Sequence, residues 1–146
     1  MAAPDLAADA RILWRLLRGQ PKTGSHADRL QAFYAPQAER YDAFRARLLH
    51  GRQALIDCLD LPPGAHVVEL GCGTGSSLGR IGERAGQLAR FEMVDLCPAL
   101  LAVARQQAAD HPNVRVIEAD ATTGRPEQPV DCVFMSYALT MIPDWS

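Results

Sequence analysis

The sequence lacks any apolar run approaching the roughly 20 residues that span a bilayer, and its first residues carry neither the apolar core nor the cleavage site of a secretory signal. The expectation is a cytoplasmic protein whose only route to a membrane is contact with its surface. There is no Cys-x-x-Cys pair. Cys58, Cys72, Cys97 and Cys132 are widely spaced and the four histidines form no ligand pattern with them, so the cysteines read as reduced thiols and no metal site is expected. Nor is there a surplus of positive charge to grip nucleic acid, the net charge being -2. Internal repeats and low-complexity tracts are absent too.

What is present has the composition of one folded domain. At 146 residues, 48% hydrophobic and 22% charged, the chain is long enough to bury roughly two thirds of its unfolded surface. Its charge is unevenly spread: residues 1–50 hold eight Arg and Lys against five Asp and Glu, and residues 51–146 hold seven against twelve.

The chain divides near residue 60. Residues 1–60 read as an N-terminal helical segment. Leu6, Ala10, Leu13 and Leu17 recur at helical spacing with Arg11, Arg15 and Arg18 on a neighbouring face, a basic amphipathic helix. Gly19, Pro21 and Gly24 end it, Ser25 offers an N-cap for a second helix toward Tyr34, and a third stretch runs from Gln37 to about Leu59. After Pro62-Pro63-Gly64 the period changes, and residues 61–146 alternate strands with helices. Strands are predicted at His66–Leu70, Phe91–Asp95, Val114–Glu118 and Val130–Ser136, with helices at Ser76–Ala85 and Pro98–Asp110. The fold class is therefore α/β, with a parallel sheet and right-handed crossovers.

Chemistry concentrates where the first strand stops. Glu69-Leu70-Gly71-Cys72-Gly73-Thr74-Gly75 joins that strand to a helix, the place where nucleotides meet an α/β sheet. Glycines there let the backbone approach a ligand, and the helix start offers unpaired N–H groups. A P-loop is excluded because Gly75 is followed by Ser76 and not by lysine. The dinucleotide fingerprint fails because the third glycine comes one residue early. Asp95 ends the second strand about twenty residues beyond the loop, where a carboxylate can accept from both hydroxyls of a ribose. The alternative is an ordinary βαβ protein whose strand-end acids cap helices or face solvent.

The remaining pattern, E-x-G-x-G-x-G with Glu69 closing the strand, resembles motif I of class I S-adenosylmethionine-dependent methyltransferases. That resemblance implies a Rossmann-like fold with strand order 3-2-1-4. It implies the cofactor's methionine end against Gly71, Gly73 and Gly75, its ammonium near Glu69, its ribose on Asp95 and its adenine edge at Asp120 and Ala121. Cys72 and Thr74 read as loop fillers. Such catalysis needs no covalent nucleophile, since the sulfonium is already activated and the protein must align the acceptor and exclude water.

Residues 25–52, SHADRLQAFYAPQAERYDAFRARLLHGR, together with SYALTMIPDW from Ser136 to Trp145, resemble the N-methyltransferases that make betaine lipids by trimethylating the amino group of diacylglyceryl-homoserine. The resemblance implies a helical lid bearing Tyr34, Tyr41 and Asp42, with Tyr41 against the sulfonium, whose charge favours an aromatic face. It implies that Ser136 and Tyr137, the candidate catalytic groups, face the acceptor. His50 and Arg52 either meet a lipid carboxylate or sit at a solvated helix end. A lipid acceptor would suit the basic helix, with Trp14 beside it at an anionic surface. The competing expectations are an enzyme for a soluble small molecule and a non-catalytic cofactor-binding module. This class usually completes seven strands and the sequence carries four, so Val130–Ser136 is expected as an unpaired apolar edge, and the chain as a fragment that binds cofactor weakly.

Overall fold

The computed structural model describes residues 14, 23–37, 49–139 and 142. Numbering the described elements in chain order, α1 is His26–Tyr34, α2 Arg52–Cys58, β1 His66–Leu70, α3 Ser76–Ile81, β2 Arg90–Asp95, α4 Pro98–Gln107, β3 Val114–Glu118 and β4 Cys132–Met135. Short 3-10 turns follow α1 at Ala35–Gln37 and α3 at Gly82–Gln87.

All strand pairings are parallel and the order is β3-β2-β1-β4, as the sequence led us to expect. Register places Glu69 beside Met93 and Phe134, and Val67 beside Phe91 and Cys132. Because strand side chains alternate between faces, Val67, Glu69, Phe91, Met93 and Phe134 share one face. Helices cover it: Ile56 from α2, Leu78 and Ile81 from α3, and Leu101 and Ala104 from α4 close over these residues. Phe91 and Phe134 stack with centroids 6.3 Å apart. Each fully buried side chain of this size contributes roughly 1.5–3 kcal/mol, so this packed face carries most of the stability of the described unit. At the opposite end of β1 from the glycine loop, the buried Glu92 carboxylate lies 3.3 Å from Arg90 Nη1 and 3.5 Å from His66 Nε2, which offsets the cost of its charge.

Apart from β2, which starts one residue earlier than read, at Arg90, four boundaries differ from the sequence reading. The third helical stretch is not continuous to Leu59: Gly51, at φ 82°, turns the chain and α2 begins only at Arg52, while 38–48 lie outside the described residues. The helix from Ser76 stops at Ile81, where Gly82 adopts φ 62° and the chain tightens into a 3-10 turn. The next helix ends at Gln107, short of Asp110. Finally, β4 is shorter than 130–136, because the Asp131 side chain takes up the His66 amide at 2.8 Å before the ladder begins. Val133, 56% exposed, lies on this outer strand, the apolar edge anticipated from the order. Of the basic helix read at 6–18, only Trp14 is described, helical and exposed.

Helix α1 forms as its sequence dictates. Ser25 Oγ accepts the Asp28 amide at 3.2 Å while the Asp28 carboxylate accepts the Ser25 amide at 3.1 Å, a reciprocal cap. Its Leu30, Phe33 and Tyr34 pack with Cys97 and Leu100 at the start of α4, a cluster separate from the main core. Gln31 Oε1 also accepts the Ala99 amide at 3.1 Å, satisfying a first-turn N–H of α4. A small satellite cluster opens at lower cost than the core. Leu30→Ala should therefore remove about 2–5 kcal/mol of local docking, speeding amide exchange across His26–Tyr34 while β1 and β2 stay protected. Equal acceleration in all three segments would contradict a separately docked helix.

Candidate functional site

The carboxyl ends of β1, β2 and β3 open into a cleft. The loop after β1 forms its floor through Gly71, Cys72, Gly73 and Thr74. Asp95 and Leu96 line one wall after β2, and Ala119, Asp120 and Ala121 extend it after β3. From above, α1 contributes His26, Leu30 and Tyr34, and the segment after β4 contributes Ser136, Tyr137 and Ala138 beside Arg52.

Asp95 organises the floor. Its Oδ2 accepts the Gly73 amide at 2.8 Å and its Oδ1 the Cys97 amide at 2.9 Å, so one carboxylate ties the glycine loop to the start of α4. Gly71, at φ 69°, passes so close to the post-β4 segment that an added Cβ would lie 2.2 Å from Ala138 Cβ. Gly73, at φ 58°, faces open space. Asp120 Oδ1 accepts both the hydroxyl and the amide of Thr122, at 2.7 and 2.8 Å, which holds its pKa below the usual carboxylate value, with His26 adding to the effect.

Two residues read as cofactor contacts are not among those that line the cleft. Gly75 caps α3 and packs on Met93 and Ala104, so its missing side chain serves helix–strand contact rather than the cleft wall. Glu69 is fully buried beneath the loop, on the packed face of β1. Its Oε1 accepts Ser77 Oγ at 2.5 Å, and Oε2 is buried without a partner among the described residues. Burial pushes its pKa up to about 7, against the pull of the Ser77 hydroxyl and the Arg52 charge. Tyr41 lies outside the described residues.

Ser136 and Tyr137 line the cleft, but both hydroxyls are engaged. Arg52 Nε donates to Ser136 Oγ at 3.1 Å, and Tyr137 donates to the His50 carbonyl at 2.5 Å from a left-handed backbone, φ 59°. Cys72 and Thr74, read as fillers, are buried cleft residues, and burial pushes the Cys72 thiol well above its usual pKa. Sequence reasoning did not single out His26 or Ser77. The one available signal for Ser77 was its place in the first turn of the helix that starts over Glu69.

The buried carboxyl makes a pH prediction. Because Glu69 holds its proton to higher pH when folded than when unfolded, the folded state binds more protons between about 4.5 and 7, and stability is lost as pH rises through that window. The full effect is of order 3 kcal/mol. The melting temperature of Glu69→Gln relative to the unaltered protein should thus rise between pH 5 and pH 8; a difference independent of pH would show that Glu69 is not a desolvated acid.

Comparison with known proteins agrees with this arrangement. Residues 67–146, more than half of the chain, match the family model described as a methyltransferase domain. The chain is 33% identical over 97 residues to 2-phytyl-1,4-naphtoquinone methyltransferase of Thermosynechococcus vestitus, covering 63% of this chain and 43% of that protein. It is 40% identical over 79 residues to trans-aconitate 2-methyltransferase of Klebsiella pneumoniae, covering 54% and 30%. It thus spans less than half the length of these relatives. Among solved structures, DhpI in complex with SAM and HEP superposes with a TM-score of 0.61 at 25% identity, covering 84% of this chain and 56% of that one. Phosphoethanolamine N-methyltransferase 1 of Haemonchus contortus superposes with a TM-score of 0.57 at 19% identity, covering 75% and 25%. The parallel β3-β2-β1-β4 sheet is the Rossmann-like arrangement of class I methyltransferases, and the chain belongs to the methyltransferase domain family.

Proposed function

We propose that this chain forms the S-adenosylmethionine-binding half of an N-methyltransferase whose acceptor is the amino group of a homoserine-type betaine-lipid precursor. The observation that carries the cofactor reading is Asp95, a strand-end carboxylate facing the cleft with one backbone N–H on each oxygen and further lone pairs left to accept from a ribose diol. The other residues fit the same group. Gly73 leaves open space over the floor, and the unpartnered Oε2 of Glu69 offers a buried acceptor to an ammonium at the loop. Asp120 and Ala121 would meet the adenine edge, and Tyr41 would serve the sulfonium from the lid.

When bound, S-adenosylmethionine supplies a methyl group already activated on sulfur. The chain's own task is then to hold the nucleoside, keep water out beneath α1, and present the acceptor from the side of Ser136 and Tyr137. With Ser136 bound to Arg52 and Tyr137 to the His50 carbonyl, their contribution is to shape the acceptor side.

The lipid acceptor rests on the sequence texture of residues 25–52 and 136–145. The exposed Trp14 amid Arg11, Arg15 and Arg18 supports peripheral contact with an anionic surface through residues 6–18. A soluble acceptor is the second reading, supported by the small molecules in the names of the quinone and trans-aconitate relatives. In this reading the acceptor is an amine on a lipid or, in the second reading, a soluble small molecule, and not nucleic acid.

Methyl transfer from labelled cofactor to diacylglyceryl-homoserine in mixed micelles, and to soluble carboxylic acids and amines, separates the two readings; transfer only to soluble acceptors overturns the lipid assignment. Asp95→Asn should weaken S-adenosylmethionine retention in equilibrium dialysis by roughly 10- to 100-fold, the value of charge-assisted hydrogen bonds, and unchanged retention would remove Asp95 from the ribose site.

A further inference from the structure

The strand order distributes charge along the cleft. Asp95 and Asp120 stand at the ends of β2 and β3, whereas Ser136 follows β4, two strands away from β2 across β1. Beside Ser136 lies Arg52, the only arginine or lysine among the described residues that line the cleft. One end of the cleft therefore accepts hydrogen bonds and the other end donates them, with a permanent positive charge. A ligand complementary to both carries hydroxyls at one end and an anion at the other.

Arg52 is built into place. Gly51 turns the chain with φ 82° so that Arg52, a half-buried residue, opens α2. Its Nε donates to Ser136 Oγ at 3.1 Å, which fixes one edge of the planar fork, and among the described residues the two terminal nitrogens have no hydrogen-bond acceptor, which leaves them for a ligand. The next residue, Tyr137, binds the His50 carbonyl. Two successive residues after β4 thus clasp the two residues that flank Gly51. A left-handed tyrosine is costly, and this clasp accounts for it. A solvated helix end would need none of this support.

We infer that Arg52 selects a carboxylate-bearing ligand for this cleft, with Ser136 as the residue that positions its fork. The inference rests on the cofactor reading of the cleft. The carboxylate has two possible sources, the amino-acid tail of the nucleoside and the head group of the acceptor, and the chemistry of recognition is the same: a bidentate guanidinium–carboxylate pair that lysine cannot reproduce.

The test uses the whole chain and two nucleosides, S-adenosylhomocysteine, which has the carboxylate, and methylthioadenosine, which lacks it. If the tail is the ligand, Arg52→Gln weakens S-adenosylhomocysteine by roughly 10- to 100-fold in calorimetric titration and leaves methylthioadenosine unchanged, Arg52→Lys recovers only part of the loss, and Ser136→Ala costs roughly 3- to 10-fold in the same pattern. If the acceptor is the ligand, nucleoside binding is unaltered and the preference for diacylglyceryl-homoserine over its carboxyl methyl ester, read as kcat/KM, collapses by a similar factor. Either result supports Arg52. Neither change, or equal weakening of both nucleosides, overturns it while leaving the cofactor reading intact. If the unaltered chain binds neither nucleoside, the cofactor reading fails and the role of Arg52 falls with it.

Discussion

One carboxylate holds the site in register. Asp95 ends β2 and accepts backbone amides from Gly73, in the loop after β1, and from Cys97, at the N-cap of α4. Three segments that meet only at the tip of the sheet are joined there by two charge-assisted hydrogen bonds, each stronger than its neutral counterpart. The parallel sheet brings these segments together, and Asp95 fixes them closely enough for Gly71 to pass against Ala138 and for Gly73 to leave its side open.

Beneath that floor the fold tolerates a second carboxyl on quite different terms. Glu69 lies on the same face as Val67, Met93 and Phe134, under helices, and Ser77 is its described hydrogen-bond partner. A charge so placed is costly, which is why its pKa rises to about 7. The two acids therefore differ in setting: Asp95 opens onto the cleft, and Glu69 is buried below the loop with Oε2 unpartnered among the described residues. Arg52, clasped on the far side by Ser136, provides the opposing charge.

Much of this was legible in the sequence, for local reasons. His66–Leu70 and Val114–Glu118 were read with their observed limits because short apolar, β-branched runs bounded by turn residues have few other uses in an alternating chain. Ser25 announced its helix through a cap that needs only Asp28 three residues on. What escaped depends on distant partners. Arg52 and Ser136 are 84 residues apart, and no local pattern distinguishes a clasped arginine from a solvated one. Gly75 reads as a ligand contact because its spacing belongs to the loop, and only the assembled fold shows that a side chain there would meet Met93 and Ala104. Strand parity did contain the burial of Glu69, since it shares a face with Val67, but the side on which the helices pack is a property of the whole sheet.

On the proposed reading, an adenosyl nucleoside lies across the tip of β1, between the glycine loop and the wall formed after β2 and β3. Amide chemical-shift mapping tests it most directly. Titrating S-adenosylhomocysteine into the isotope-labelled chain should move the resonances of Gly71, Gly73, Asp95, Leu96 and Ala121, and leave those of Arg90, Arg115 and Asp131 at the other end of the strands in place. Shifts confined to that other end, or a response to a nicotinamide dinucleotide in place of the nucleoside, would contradict it.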